Sequence, residues 1–153
     1  VNAGLSIAKR VRGSRVYFDT NVIIYFIEQN PEYFAAVAEI FKLIGTDEIS
    51  AVTSEFTLAE VLIKPIREQQ FTLVQSIKGL LLDQDFFTLT PCPRPLFLRA
   101  AEIAAPNGLR TADAIHMASA IESNCHHFIT NDARFRSMHG VSVICLRHAV
   151  SAA

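Results

Sequence analysis

The chain has 153 residues, half of them apolar, and its 14 basic and 15 acidic side chains leave a net charge of −1. That is the size of one ordinary domain, with enough apolar material to bury a core. No apolar run approaches the roughly 20 residues that a membrane helix needs, and no secretory signal is visible. Cys92, Cys125 and Cys145 are widely spaced, odd in number and without a C-x-x-C pattern, so they read as buried thiols in a reducing cytoplasm.

The charge is unevenly spread. Lys9, Arg10, Arg12 and Arg15 all precede the first acid, Asp19; subtracting those four from the 14 basic residues leaves ten against 15 acids, a body of −5. A protein that binds nucleic acid by charge alone would be basic throughout. An acidic body instead suits one that gathers divalent cations first. Residues 1–15 mix Gly, Ser and basic residues with little periodicity and read as a basic N-terminal tail or extension; residues 16–153 read as a single domain.

Five short strands are predicted in chain order. They are Val16 to Asp19, Ile49 to Thr53, Phe86 to Thr90 before Pro91, Phe128 to Thr130 before the turn-forming pair Asn131-Asp132, and Val141 to Leu146. Short apolar, β-branched runs suit strands buried on both faces. Helices are predicted between them. Pro31 to Ile44 repeats apolar residues at helical spacing and stops at Gly45. Ser54 caps a helix to about Lys64, ahead of Pro65. Glu68 to Leu82, Pro95 to Ala105, and a Thr111-capped segment to about Asn124 follow. Alternating strands and helices make a mainly parallel α/β sheet.

In such sheets ligands sit beyond the carboxyl ends of the strands. Asp19 and Asp132 each end a predicted strand, and Asp113 lies in the first turn of a helix, where the dipole favours an anion. Glu60 sits among Phe56, Leu58, Ala59, Val61, Leu62 and Ile63, on a helix apolar nearly all round and so expected to be buried. Each acid alone has an ordinary reading as a cap, a capping box or a turn. Together they do not: two unit charges about 5 Å apart repel by roughly 3 kcal/mol at an effective dielectric of 20. A cluster needs protons, basic partners or a divalent metal. All-oxygen ligands suit Mg²⁺ or Mn²⁺, and zinc-type Cys/His spacing is absent.

The segments Val16-Tyr-Phe-Asp19-Thr-Asn21, Leu58-Ala-Glu60-Val-Leu62, Leu109-Arg-Thr-Ala-Asp113-Ala-Ile-His-Met117-Ala and Phe128-Ile-Thr-Asn-Asp132 resemble the PIN-domain family, in particular its VapC-type toxins. The resemblance covers about residues 16–147, and all four family acids find a match in order. It implies an α/β, PIN-like three-layer sandwich, with a five-stranded parallel sheet of order 3-2-1-4-5 and helices on both faces. It also implies Mg²⁺- or Mn²⁺-dependent endoribonuclease activity leaving a 5′-phosphate, a cognate antitoxin whose tail occupies the groove, and a homodimer. On that reading Asp19, Glu60, Asp113 and Asp132 are the catalytic and metal-binding residues.

Thr20, Asn21 and Thr130 are placed to orient these carboxylates. Arg110, Arg134 and Arg136 flank two of the acids and are placed to bind RNA phosphates; solvated charge or ion pairing is their ordinary alternative. His116, three residues after Asp113, reads as a hydrogen-bonded core histidine. Phe86, Phe87 and Phe97 read as structural. Two other functions compete. A non-catalytic PIN-type module that binds RNA or protein commonly lacks one or more acids, and none is missing here. An Asp-based phosphatase of the haloacid-dehalogenase type needs a second Asp two residues after the first, where this chain has Asn21.

Overall fold

The computed structural model describes residues 2–153. Its elements are α1 (Ala3–Val11), β1 (Arg15–Phe18), α2 (Thr20–Ile27), α3 (Phe34–Gly45), β2 (Ser50–Ser54), α4 (Glu55–Arg67), α5 (Phe71–Leu81), β3 (Phe87–Thr90), α6 (Arg94–Asn107), α7 (Thr111–Glu122), β4 (His127–Thr130), β5 (Ser142–Cys145) and α8 (Leu146–Ser151). The five strands form one parallel sheet of order β3-β2-β1-β4-β5, as the resemblance implies. The central strand β1 pairs with β2 on one side and β4 on the other, so Val16 lies level with Ala51 and His127.

Alternation along the strands sends neighbouring side chains to opposite faces. Val16 and Phe18 join one core with α1, α2, α3 and α5, with Val61 of α4 and with Leu146 of α8. Tyr17, Val52 and Phe128 join the other, against Leu96, Ala100 and Ile103 of α6 and Ala114, Met117 and Ala118 of α7. The sheet therefore lies between two helical layers. Each fully buried Phe or Ile stabilises it by about 1.5–3 kcal/mol. Among the described residues no helix is long and apolar enough to cross a membrane. The three cysteines are free, but only Cys125 is fully buried; its thiol is pushed up to about 12 by that burial.

Four expectations need correction. Residues 3–11 are not a loose tail: they form α1, capped by the Asn2 side chain, which accepts a hydrogen bond from Gly4 N at 2.9 Å. Its buried stripe is Ala3, Gly4, Ile7, Ala8 and Val11, a helical spacing that leaves Lys9 and Arg10 on the exposed side. Gly4 lies so close to α3 that a Cβ would stand 2.8 Å from the Cα and carbonyl oxygen of Ala36.

The second correction concerns α4, which continues through Pro65 to Arg67 instead of stopping before it. Pro65 lies in the last turn of the helix, where its missing N–H removes only the one bond back to the Val61 carbonyl. Third, α4 is not buried all round: Thr57, Val61 and Pro65 are, while Ile63 and Ile66 are exposed. With Leu58 and Leu62 they line one shallow apolar face of α4. Fourth, Phe97 is half-exposed; the stripe of α6 that reaches the core is Leu96, Ala100 and Ile103.

The docked helix can be tested by equilibrium urea unfolding. Ile7→Ala should cost about 2–5 kcal/mol and Gly4→Ala about 1–3 kcal/mol. A loose tail would leave both changes within about 0.5 kcal/mol of the parent.

Candidate active site

Asp19 follows the last residue of β1 and begins α2. It is 6% exposed. Its Oδ1 accepts from the Thr20 N–H at 2.8 Å and its Oδ2 from the Thr130 hydroxyl at 2.6 Å. Burial pushes the Asp19 carboxyl above its ordinary range, against the pull of His116 and of those two hydrogen bonds. Both of its oxygens thus face neutral donors, with no side-chain cation paired to it among the described residues.

Glu60 comes from α4 and Thr20 from α2. The Thr20 hydroxyl donates to Glu60 Oε1 at 2.7 Å, and His116 Nε2 lies 2.5 Å from the same oxygen. Burial raises the Glu60 pKa, but the bonds to His116 and Thr20 outweigh it and hold the carboxyl below its ordinary value. His116 reaches Glu60 from α7. Its Nδ1 lies 2.7 Å from the hydroxyl of Tyr17 on β1.

Asp113 and Asp132 are managed differently. Asp132 follows β4, and its N–H donates to the Thr130 hydroxyl oxygen at 3.0 Å. Arg134 chelates it: the backbone N–H donates to Oδ1 at 2.9 Å, Nε lies 2.9 and 3.0 Å from the two oxygens, and Nη2 also reaches Oδ2. The bond from Arg134 holds the Asp132 carboxyl below its ordinary range, although partial burial works against it. Arg134 Nη2 is also 3.6 Å from Asp113, and Arg110 Nε donates to Asp113 at 3.1 Å.

All four carboxylates are therefore linked at the carboxyl end of the sheet. Thr20 bonds both Asp19 and Glu60, Thr130 joins Asp19 to the backbone of Asp132, and the two arginines span Asp132 and Asp113. Thr20 and Thr130 each donate to carboxylates, whereas Asn21 is exposed and bonds none of them. Arg110 and Arg134 sit on the acids. Arg136 instead donates to the carbonyls of Ala133 and Phe135.

Among the described residues no three His, Cys, Asp or Glu side chains form a ready-made metal cage. Two arginines are interposed where Asp113 and Asp132 meet. The donor chemistry fits a hard cation nonetheless: the acids and flanking hydroxyls are all oxygen, and the buried Asp19 lacks a countercharge. Sequence reasoning overlooked Tyr17 as the partner of His116, although strand alternation from Phe18 points it at α7. It also overlooked Asn131, which donates to the Tyr25 hydroxyl at 3.0 Å and accepts from Arg147 N at 2.8 Å.

The PIN-domain family model matches residues 16–141. The chain belongs to the PIN-domain family. The PIN fold recurs in a VapBC2 structure from Rickettsia felis bound to a promoter DNA fragment, at TM-score 0.64 and 17% identity over 86% of this chain and 98% of that one. FitAcB from Neisseria gonorrhoeae aligns at TM-score 0.61 and 25% identity, covering 87% of this chain and 99% of that one. VapC20 from Mycobacterium tuberculosis, described as a toxin that cleaves the sarcin-ricin loop, aligns at TM-score 0.60 and 13% identity over 74% and 86%. No curated protein matches this PIN domain by sequence.

Because the Asp19 carboxyl is raised in the fold, the folded state holds that proton more tightly than the unfolded chain. At this site stability is lost as pH rises through the window from the ordinary carboxylate value to the raised one. Asp19→Asn should therefore stabilise the protein above that window, by about 1 kcal/mol, or roughly 2–4 °C in Tm. The gain should vanish below the ordinary carboxylate range. Thermal melts of both proteins across pH check this; a variant that is less stable at neutral pH contradicts it.

Proposed function

We propose that this PIN domain is a metal-dependent endoribonuclease and the toxin of a cytoplasmic toxin–antitoxin pair. The observation that carries the reading is the single hydrogen-bonded and ion-paired network joining Asp19, Glu60, Asp113 and Asp132 in a chain of this family. Those four residues would hold Mg²⁺ or Mn²⁺. Once bound, such an ion lowers the pKa of a water and neutralises charge on phosphate oxygens.

The protein's own groups do the positioning. Thr20 and Thr130 fix the two oxygens of Asp19. Glu60 Oε1 is occupied by Thr20 and His116, which leaves Oε2 to accept a proton from an attacking water. Arg110, Arg134 and Arg136 bind phosphate oxygens and set the register of the RNA without reading its bases. The apolar face of α4 at Leu58, Leu62, Ile63 and Ile66 offers area for the antitoxin or a second copy, in keeping with a homodimer. The arginine pairs on Asp113 and Asp132 also suit a non-catalytic module that binds RNA without a metal, so the experiment must separate the two.

Purified protein is incubated with a mixed RNA pool and Mg²⁺ or Mn²⁺, beside EDTA, Asp19→Asn and Glu60→Gln. Cleavage should fall by about 100-fold or more in all three controls. Cleavage that persists in EDTA contradicts the metal, and RNA binding without cleavage identifies the binding module.

Arg136→Ala should weaken RNA binding similarly for all sequences. It should also lower the slope of log affinity against log salt by about 0.7 for one single-strand phosphate contact. An unchanged slope removes Arg136 from the RNA path.

A further inference from the structure

Behind the Glu60 carboxylate the site holds a buried relay that runs through His116 to Tyr17. His116 is 2% exposed, with the ring of Tyr17 5.9 Å away edge-on and that of Phe56 at 5.5 Å. A purely structural histidine would be satisfied by any nearby polar group. Here both ring nitrogens go to side chains of other elements: Nδ1 to Tyr17 on β1 and Nε2 to Glu60 on α4.

We propose that His116 is a positioning residue, held in its Nε2–H form by Tyr17, which aims the Glu60 carboxylate and sets the spacing between the two acid-bearing helices. The proton assignment follows from the partners. A carboxylate only accepts, so Nε2 must carry the proton. In a neutral imidazole Nδ1 is then a lone pair, which takes the proton of the Tyr17 hydroxyl at 2.7 Å. Tyr17 lies in the central strand, stacked on Phe128 at 5.1 Å, so the relay is referenced to the most rigid part of the sheet.

The consequence reaches two acids. His116 shares α7 with Asp113, three residues earlier, and thus the same side of that helix. Its bond to Glu60 is a strut from the Asp113 helix to the Glu60 helix. Thr20 supplies a second anchor on the same Oε1 at 2.7 Å. With Oε1 doubly held, rotation of the carboxylate is resisted and Oε2 keeps a defined direction. Outer partners of this kind typically change metal affinity or activity by about 10–100-fold when removed.

The effect on metal and turnover rests on the ribonuclease reading; the relay itself does not. Imidazole ¹⁵N NMR of the metal-free, RNA-free protein tests the relay. His116 should show a protonated Nε2 and a bare Nδ1, and Tyr17→Phe, which removes only the hydroxyl, should mix the two forms. A proton on Nδ1, or no response to Tyr17→Phe, overturns the proposal.

Mn²⁺ titration and cleavage kinetics follow on the same proteins. Affinity should fall by about 10–100-fold in His116→Leu, with recovery in His116→Gln, which keeps an amide donor. The loss should appear in kcat, with KM for RNA little changed. Values within twofold of the parent in both Tyr17→Phe and His116→Leu overturn the positioning role while leaving the ribonuclease intact. A parent protein that binds no Mn²⁺ and cuts no RNA ends the ribonuclease reading instead, and the NMR result then decides the relay alone. Circular dichroism screens His116→Leu for misfolding; Tyr17→Phe, nearly isosteric, carries the test if that variant fails.

Discussion

A buried carboxylate without a cationic partner costs several kcal/mol, and Asp19 occupies such a place at the tip of the central strand. The Thr130 hydroxyl and the Thr20 backbone N–H soften that cost without removing it. The surrounding architecture follows from the need to hold this anion. Thr20 and Thr130 come from the start of α2 and the end of β4, so a parallel register that aligns β1 with β4 is what delivers both donors to one side chain. A cation entering the site would relieve the same cost, which gives the fold a physical reason to attract one.

The outer half of the site obeys a different rule. Asp113 and Asp132 are only partly buried, and each is matched by an arginine close in sequence. The arginines of these pairs are exposed and screened by water and salt, so a divalent ion or a phosphodiester can exchange them. Asp19 and Glu60 are thus oriented by hydroxyls, a backbone N–H and the His116 ring, and Asp113 and Asp132 by exposed arginines. That contrast suits a site whose inside must be preorganised and whose rim must open to a polymer.

The parallel sheet was legible because each strand is a short apolar run between helical stretches; its order was implied only by the resemblance to the PIN-domain family. The acids were legible because they terminate such runs, or sit in otherwise apolar helices. Other features were hidden for specific reasons. The α1 stripe of Ala3, Gly4, Ile7, Ala8 and Val11 has helical spacing, but the density of Gly, Ser and basic residues in the segment masked it as a tail. The apolar residues of α4 suggested burial, yet Ile63 and Ile66 face outward; periodicity cannot distinguish a core face from a face awaiting a partner. The Tyr17–His116–Glu60 relay joins residues 43 to 99 positions apart, a pairing that only the fold creates. Asn21 stands beside Asp19 in sequence but turns to solvent, because Thr20 already takes the inward position at the start of α2.

The claim that one divalent ion is shared by acids from four elements is tested most directly by calorimetric Mn²⁺ titration of four single variants. These are Asp19→Asn, Glu60→Gln, Asp113→Asn and Asp132→Asn. A shared site predicts that every one weakens the same binding event. If any one variant binds Mn²⁺ as the parent does, that carboxylate lies outside the site, and the account of a four-acid centre is contradicted.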